Sequence, residues 1–280
     1  MRRIQQPGPV PADRALVVPV RAVPIEAELP AGASLLDALH DIVRAHGAES
    51  ACLTLSGGAL GPFGYVMPAL SPDEAHAAWY SAPRHPAGTT LWEMGCVTVG
   101  TRDGENFFHC HGFWTEADGK RSGGHVLPEA TVIAAPIRAG GVGIIGARFT
   151  AQQDSETGFR LFQPVATEAV AGADALAVRL RPNQDVTLAL EGLGRAAGFC
   201  HARVAGGVGS TIGARFSDAG AVEPFATELF ITDAALDCRN GAASRLATAL
   251  VDLTGGLAQG SLVRGDNPVL MTVELVLLPA

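Results

Sequence analysis

The sequence has little positive charge, and almost none of it is lysine. Lys and Arg together number 20 against 28 Asp and Glu, which gives a net charge of −8 at pH 7. Lys120 is the single lysine. Proteins that bind nucleic acid through its phosphates usually present a clustered basic surface. The charge balance therefore argues against nucleic-acid binding as the main function.

Several familiar signatures are also missing. The five cysteines are scattered, odd in number and without a C-x-x-C pair, which favours reduced thiols and a cytoplasmic location. The glycine-rich stretches contain neither the Gly-Lys-Ser/Thr of a P-loop nor a full dinucleotide-binding fingerprint, and there is no Gly-x-Ser-x-Gly nucleophile elbow. Because prolines interrupt residues 1–11, we expect no signal peptide there.

A long apolar helix is absent as well. The longest uncharged run, residues 50–72, contains four glycines and three prolines. These residues favour strand, turn and strand over a lipid-facing helix, so we expect no membrane span.

Apolar and turn-forming residues are abundant instead. Apolar residues make up 48% of the chain, which also has 34 glycines and 18 prolines. This mixture favours a sizeable core built from short strands and tight turns. A length of 280 residues suits two domains of ordinary size.

An internal repeat supports that division. Residues 28–48 align without a gap with residues 179–199. In both stretches apolar residues recur at spacings of three and four, which predicts one face of a helix. They are Leu35, Ala38, Leu39 and Ile42 in the first, and Val186, Ala189, Leu190 and Leu193 in the second. Each helix has an N-cap residue before it and a glycine after it: Ser34 and Gly47, then Asp185 and Gly198.

The repeat continues towards the end of the chain, where residues 109–137 align with residues 245–273. We interpret the chain as two copies of one α+β module, residues 17–168 and 175–280, joined by a small, polar linker. The first copy carries an extra segment around residues 73–95 that has no counterpart in the second.

Three histidines of the first copy are candidate metal ligands. Since alternate residues of a strand face the same way, His109 and His111 would present two imidazoles together, and Cys110 would point away into packing. The turn after them would bring His125 opposite the pair. Three imidazoles with an open fourth position suit Zn²⁺ or another divalent transition metal.

The second copy lacks all three histidines. Their aligned positions hold Arg245, Ala247 and Ser261. A module that folds without these side chains does not need them for folding, so their presence in the first copy favours a function. Chance clustering of strand histidines is the alternative.

The stretch 109–137, with H-x-H, a turn and Gly-Gly-His, resembles the signature of the plants-and-prokaryotes-conserved (PPC) domain. Residues 147–164 resemble the closing strand of that domain, and the second copy resembles a degenerate module without the metal motif. The resemblance implies an α+β fold in which one or two helices pack on a mostly antiparallel sheet, trimeric assembly, and zinc at His109, His111 and His125. The DNA-binding plant members carry an Arg-Gly-Arg-Pro AT-hook, which this sequence lacks.

Other residues are weaker candidates. Glu129, four residues after the last histidine, is a possible general base, with a solvated turn carboxylate as the alternative. Arg84 and His85 in the extra segment are possible substrate ligands, if that segment is a lid and not a plain loop. Phe113 is a possible pocket wall or a core residue.

Two functional classes remain open from the sequence. The chain is either a metal-dependent hydrolase or lyase acting on a small, anionic molecule, or a sensor or regulator that binds a small ligand at the metal without catalysis. A general base close to the metal would distinguish them. DNA binding ranks last, and a homotrimer is the favoured assembly.

Overall fold

The computed structural model describes residues 2–241 and 243–280. Within them the chain forms 19 strands, two α-helices and one short 3-10 helix, Pro128–Ala130. The elements of the first half are β1 (Ala15–Leu29), α1 (Leu35–Ala45), β2 (Ser50–Ser56), β3 (Ala59–Leu60), β4 (Tyr65–Val66), β5 (Pro68–Ala69), β6 (Trp79–Tyr80), β7 (Thr90–Arg102), β8 (Glu105–Thr115), β9 (Arg121–Val126), β10 (Ile133–Ala135), β11 (Ile137–Ile145), β12 (Ala147–Gln153) and β13 (Arg160–Ala166). Those of the second half are β14 (Ala175–Leu180), α2 (Val186–Ala196), β15 (His201–Phe216), β16 (Gly220–Asp237), β17 (Arg245–Asp252), β18 (Leu257–Ser261) and β19 (Val269–Pro279).

Strand pairing follows the same order in both halves. The first half runs β1-β11-β2-β7-β8-β9, with antiparallel neighbours. The second runs β14-β19-β15-β16-β17-β18, again antiparallel. β1 joins the halves, because it pairs with β14 through its first residues and with β11 through the rest. The division into modules 17–168 and 175–280 stays a prediction.

Both predicted helices are present, and each has the predicted cap. Ser34 accepts a hydrogen bond from the backbone N–H of Asp37, and Asp185 accepts one from that of Leu188. Gly47 and Gly198 follow the helices with φ values of 65° and 80°, the left-handed conformation that glycine adopts without steric cost.

The expected α+β class is wrong. Strands take 56% of the chain and helices 9%, and the strands form a nearly all-antiparallel sheet that curls into a half-barrel. Each helix has only 11 residues and covers a small part of the sheet.

The small helix content has a physical reason, which is the way the apolar face of each sheet is covered. Cys96 and Phe113 of the first half form one buried cluster with Val208, Phe230 and Ala249 of the second. The strands of one half therefore bury the sheet face of the other, and no further helices are needed. The repeat predicted one helix per copy, but it did not show that the two sheets would pack on each other.

Two larger cores contain the helices. One packs α1 on the first half through Leu35 and Leu39, and the other packs α2 on the second half through Val186 and Leu190. Among the described residues, no helix has the length and apolar content needed to cross a membrane.

Candidate metal centre

Neighbouring strands bring the three predicted histidines together. His109 and His111 lie two residues apart on β8, so their side chains share a face of the sheet. His125 lies on β9, directly opposite His111 in the antiparallel register. The sequence prediction that the three imidazoles converge agrees with this arrangement.

The imidazole nitrogens are close to one another. The Nε2 atoms of His109 and His111 are 2.9 Å apart, and Nε2 of His111 is 3.3 Å from Nδ1 of His125. The side chain of His111 is only 1% exposed and that of His109 is 12% exposed. The cluster therefore lies beneath the surface.

Glu228 completes the group, and the sequence analysis did not identify it. It lies on β16 of the second half, and its Oε2 is 2.7 Å from Nε2 of His111. One ligand atom from each of His109, His111, His125 and Glu228 lies within 4.8 Å of the others. These four residues could hold a metal ion.

Two further groups fix the orientation of the imidazoles. Nδ1 of His109 contacts the carboxylate of Glu274, which is fully buried on β19. Nδ1 of His111 lies 2.9 Å from the backbone carbonyl oxygen of Leu229. Because Nδ1 of each ring faces an oxygen acceptor, a proton is favoured on Nδ1. Nε2 is then the nitrogen directed towards the centre of the group, where a metal would bind it.

Glu274 is itself held by a buried chain of contacts. Its Oε2 lies 3.4 Å from the hydroxyl of Thr272, and that hydroxyl accepts a hydrogen bond from Nε of Arg179. Arg179 is fully buried and forms an ion pair of 2.9 Å with Asp154. The orientation of His109 thus depends on a polar network that reaches the junction of the two halves.

The electrostatics differ between the imidazoles. Burial works to lower the pKa of His109, but the carboxylates of Glu274 and Glu228 outweigh it, so the pKa is raised. Burial, together with His109 and His111, holds the pKa of His125 well below its ordinary value. His125 is therefore a neutral imidazole. The two carboxylates stabilise positive charge at His109, carried either by a proton or by a cation bound to the ring.

The donor set fits a zinc-like ion. Zinc–nitrogen bonds are about 2.0–2.1 Å long, so two nitrogens on a tetrahedral zinc lie roughly 3.3 Å apart. The separations of 3.3 and 2.9 Å between the ring nitrogens are near this value. Converging nitrogen lone pairs repel one another, so a cation among them is electrostatically favourable.

The glycines before His125 explain the sequence Gly-Gly-His. A Cβ atom on Gly123 would lie 2.7 Å from the ring of Phe113, and one on Gly124 would lie 2.5 Å from the carbonyl oxygen of Val66. Val66 belongs to β4, which pairs with β9 at His125. Only glycine allows β9 to approach both neighbours and hold His125 opposite His111.

The extra segment of the first half covers part of the centre. Its Trp79 and Tyr80 form β6, and the Tyr80 ring lies 5.3 Å from the ring of His125. Burial, followed by the charges of Glu228 and Glu274, raises the pKa of Tyr80 well above its ordinary value. Tyr80 is therefore a neutral phenol.

Two cavities open beside the cluster, with volumes of about 30 and 120 Å³. Both are lined by Tyr80, His109 and Phe159, and the larger one also reaches His125. The extra segment thus contributes to the walls through Tyr80, a residue of the segment that the sequence analysis did not select.

The other sequence candidates lie elsewhere. Glu129 is exposed on the 3-10 helix and outside the four-residue group. Arg84 and His85 are exposed, and the backbone of Arg84 pairs with that of Tyr65. Phe113 is 1% exposed and packs edge-on against Phe230. None of these four residues belongs to the group of three histidines and Glu228.

Cys110 faces away from the histidines, as strand alternation predicts. Its side chain is fully buried in the core of the first half. Burial raises the pKa of its thiol well above the ordinary value, so it remains a neutral packing residue.

Comparison with known proteins gives structural neighbours only. No protein-family model matches the chain, and no curated protein matches it. A plant- and prokaryote-conserved (PPC) protein from Pyrococcus horikoshii is 18% identical, with a TM-score of 0.40, over 52% of this chain and 95% of that one. A metal-containing protein from Archaeoglobus fulgidus is 18% identical, with a TM-score of 0.40, over 50% of this chain and 93% of that one. A protein from Ralstonia eutropha JMP134 for which DNA binding has been suggested is 17% identical, with a TM-score of 0.36, over 49% of this chain and 89% of that one.

Proposed function

We propose that this chain binds a divalent transition metal ion, zinc, through His109, His111 and His125, and uses it on a small anionic molecule. The observation that carries the proposal is the convergence of the three imidazoles and one carboxylate within 4.8 Å. Three protein nitrogens with an open fourth position are the donor set of catalytic zinc sites. When bound there, zinc would lower the pKa of a coordinated water or polarise a carbonyl.

Glu228 is the group that makes catalysis the favoured function. Its side chain is only 10% exposed, and its Oε2 is 2.7 Å from a ligating nitrogen. A carboxylate in this position can accept a proton from water beside the fourth position and return it to a leaving group. Hydrolysis, hydration and elimination all need such a base, so the proposed activity is that of a hydrolase or lyase.

The second candidate function is metal-dependent ligand binding without catalysis, as in a sensor or regulator. Glu228 is compatible with this function as well, because the same carboxylate is close enough to serve as a fourth ligand. Four protein ligands would close a tetrahedral site. The role of Glu228 therefore decides between the two functions.

The test compares zinc content and reactivity in three variants. His111→Ala should lose the bound zinc. If Glu228 is a base, Glu228→Gln should keep about one zinc per chain and lose roughly 100-fold or more of the activity towards activated esters and small amides. Glu26→Gln changes an exposed carboxylate on β1 and is the matched control.

Each outcome has a definite meaning. Loss of zinc from Glu228→Gln, with no turnover in the parent protein, would favour the binding function. A parent protein that stays metal-free after incubation with zinc would reject both functions. Glu129→Gln, measured alongside, tests the sequence prediction that Glu129 is the base.

The organisation around the centre is part of the proposal. We propose two tandem modules, 17–168 with the metal and 175–280 as a structural copy, in a cytoplasmic homotrimer. The matching order of six strands in each half supports the repeat, and five unpaired cysteines suit a reducing compartment. Light scattering on the purified chain measures the oligomer mass directly. DNA binding has the least support, because the net charge is −8.

A further inference from the structure

We propose that the larger cavity binds a small aromatic carboxylate, with its carboxylate held by Arg102 and its other end at the histidine cluster. The inference rests on the proposed metal function, and it names the class of molecule on which the centre would act. Arg102 is not among the residues that the sequence patterns selected.

The lining of the cavity combines three kinds of side chain. His109 and His125 of the histidine cluster contribute to it, and so do Arg102 and Arg160. Aromatic rings come from Tyr80, Phe107, Phe159 and Phe162. The cavity volume of about 120 Å³ limits the ligand to a small molecule.

Strand geometry explains why Arg102 and the histidines face the same cavity. His109 of β8 lies opposite Thr98 of β7, and Arg102 follows Thr98 by four residues on the same strand. Residues at even spacing share a face of a sheet, and four residues span about 13 Å. Arg102 and His109 therefore point to the same side with a separation that one aromatic ring and a short chain can bridge.

The charge of Arg102 is available to a ligand. Its neighbour Asp103 is already engaged by Arg160, which donates to both carboxylate oxygens. Among the ion pairs of residues 2–241 and 243–280, none includes Arg102, and its guanidinium lies 5.4 Å from the centroid of the Phe107 ring. Stacking on an aromatic ring holds the planar fork in place while its N–H groups stay free to donate.

These features select the ligand class. A guanidinium fork binds a carboxylate through two parallel hydrogen bonds. The aromatic walls favour a flat, aromatic body over an aliphatic chain. The histidine cluster then faces the end of the molecule remote from its carboxylate, where the proposed chemistry would take place.

The experiment measures binding of phenylacetate, its neutral analogue phenylacetamide, and butyrate to the full chain by calorimetry. Each titration uses zinc-loaded and chelator-treated protein, and zinc content is determined by elemental analysis. The variants are Arg102→Gln and, as a matched control, Arg148→Gln, which changes an exposed arginine of β12 that does not line the cavity.

We expect phenylacetate to bind the parent protein at least roughly tenfold more tightly than phenylacetamide or butyrate, because a charge-assisted pair is lost with the amide. Arg102→Gln should bind phenylacetate no more tightly than phenylacetamide and should keep its zinc. Arg148→Gln should keep both the zinc and the preference for phenylacetate. Equal binding of acid and amide, no binding of either, or a preference that survives in Arg102→Gln would overturn the inference.

The two proposals fail in different ways. A protein that binds zinc but shows no carboxylate preference would leave the metal centre in place and reject the role of Arg102. A protein that takes up no zinc but loses its carboxylate preference in Arg102→Gln would reject the metal function and keep the carboxylate site.

Discussion

Glu274 controls the histidine cluster at the scale of single residues, although it is outside the ligand group. Its fully buried carboxylate contacts Nδ1 of His109 and leaves Nε2 of the same ring directed towards His111. A carboxylate behind a ligating imidazole fixes its tautomer and raises its basicity, and losing it typically weakens metal binding by about 10- to 100-fold.

We therefore expect Glu274→Gln to bind zinc roughly 10- to 100-fold more weakly than the parent protein. The amide has nearly the same shape and can still accept a hydrogen bond from Nδ1–H, but it carries no charge. Competition with a chromogenic chelator measures the affinity, and circular dichroism confirms that the variant is folded. An unchanged zinc affinity in a folded variant would show that His109 does not depend on Glu274.

The histidines could be predicted from the sequence, whereas the carboxylates could not, for a geometric reason. His109, His111 and His125 lie on adjacent strands, so strand alternation and one turn are enough to predict their convergence. Glu228 and Glu274 reach the cluster from strands of the other half, more than 100 positions away. Local spacing contains no information on such contacts, and the candidate base that it offered was Glu129, four residues after His125.

At the scale of elements, β9 positions one ligand by approaching its neighbours closely. We expect Gly124→Ala to destabilise the protein and to weaken zinc binding, since the new Cβ would lie 2.5 Å from the carbonyl oxygen of Val66 and β9 would have to shift with His125. Thermal melts with and without zinc measure both effects, and a normal zinc-dependent increase in Tm would contradict the expectation.

Gly192→Ala is the matched control for that substitution. Gly192 is exposed on α2, and no atom lies within 4 Å of the added Cβ. Alanine in a helix interior is favoured over glycine by about 0.5–1 kcal/mol. The control should therefore raise the melting temperature slightly and leave zinc binding unchanged.

Element prediction was accurate where local rules dominate. The two helices were predicted from apolar spacing and from the caps Ser34 and Asp185, because those interactions lie within a few residues of the helix. The expected α+β class was wrong because the coverage of the sheets is a long-range property. Phe113 illustrates the same limit: its partner Phe230 belongs to the other half, so its burial in a core between the halves could not be deduced from β8 alone.

At the scale of the whole molecule, a buried ion-pair network joins the halves. Asp154, which follows β12, contacts Arg179 at 2.9 Å and Arg181 at 2.5 Å, and both arginines are at or next to β14. Arg14 contacts Glu156 through two hydrogen bonds of 2.8 and 2.9 Å. The Asp-x-Glu stretch that resembles the closing strand of a PPC domain thus holds three arginines at the junction.

Asp154→Asn tests how far stability depends on this junction. The substitution leaves the fully buried guanidinium of Arg179 without its nearest counter-charge, and breaking a buried pair in this way costs about 3 kcal/mol or more. We expect urea unfolding to show that the free energy of unfolding falls by this amount. Asp103→Asn, which removes an exposed partner of Arg160, is the control and should leave the midpoint of urea unfolding nearly unchanged.

The pH dependence of unfolding provides an independent check on the same carboxylate. Burial acts to raise the pKa of Asp154, but Arg179 and hydrogen bonds from Thr157 outweigh it, so the pKa in the folded protein is lowered. A carboxyl group whose pKa is lower in the folded than in the unfolded state stabilises the fold above its unfolded pKa, about 3.9, and this contribution is lost as the pH falls through the folded value. The parent protein should therefore lose stability below about pH 4 more steeply than Asp154→Asn. Parallel acid profiles for the two proteins would show that the Asp154 carboxylate does not stabilise the junction of the halves. The contacts that link Arg179 to His109 would then not depend on Asp154.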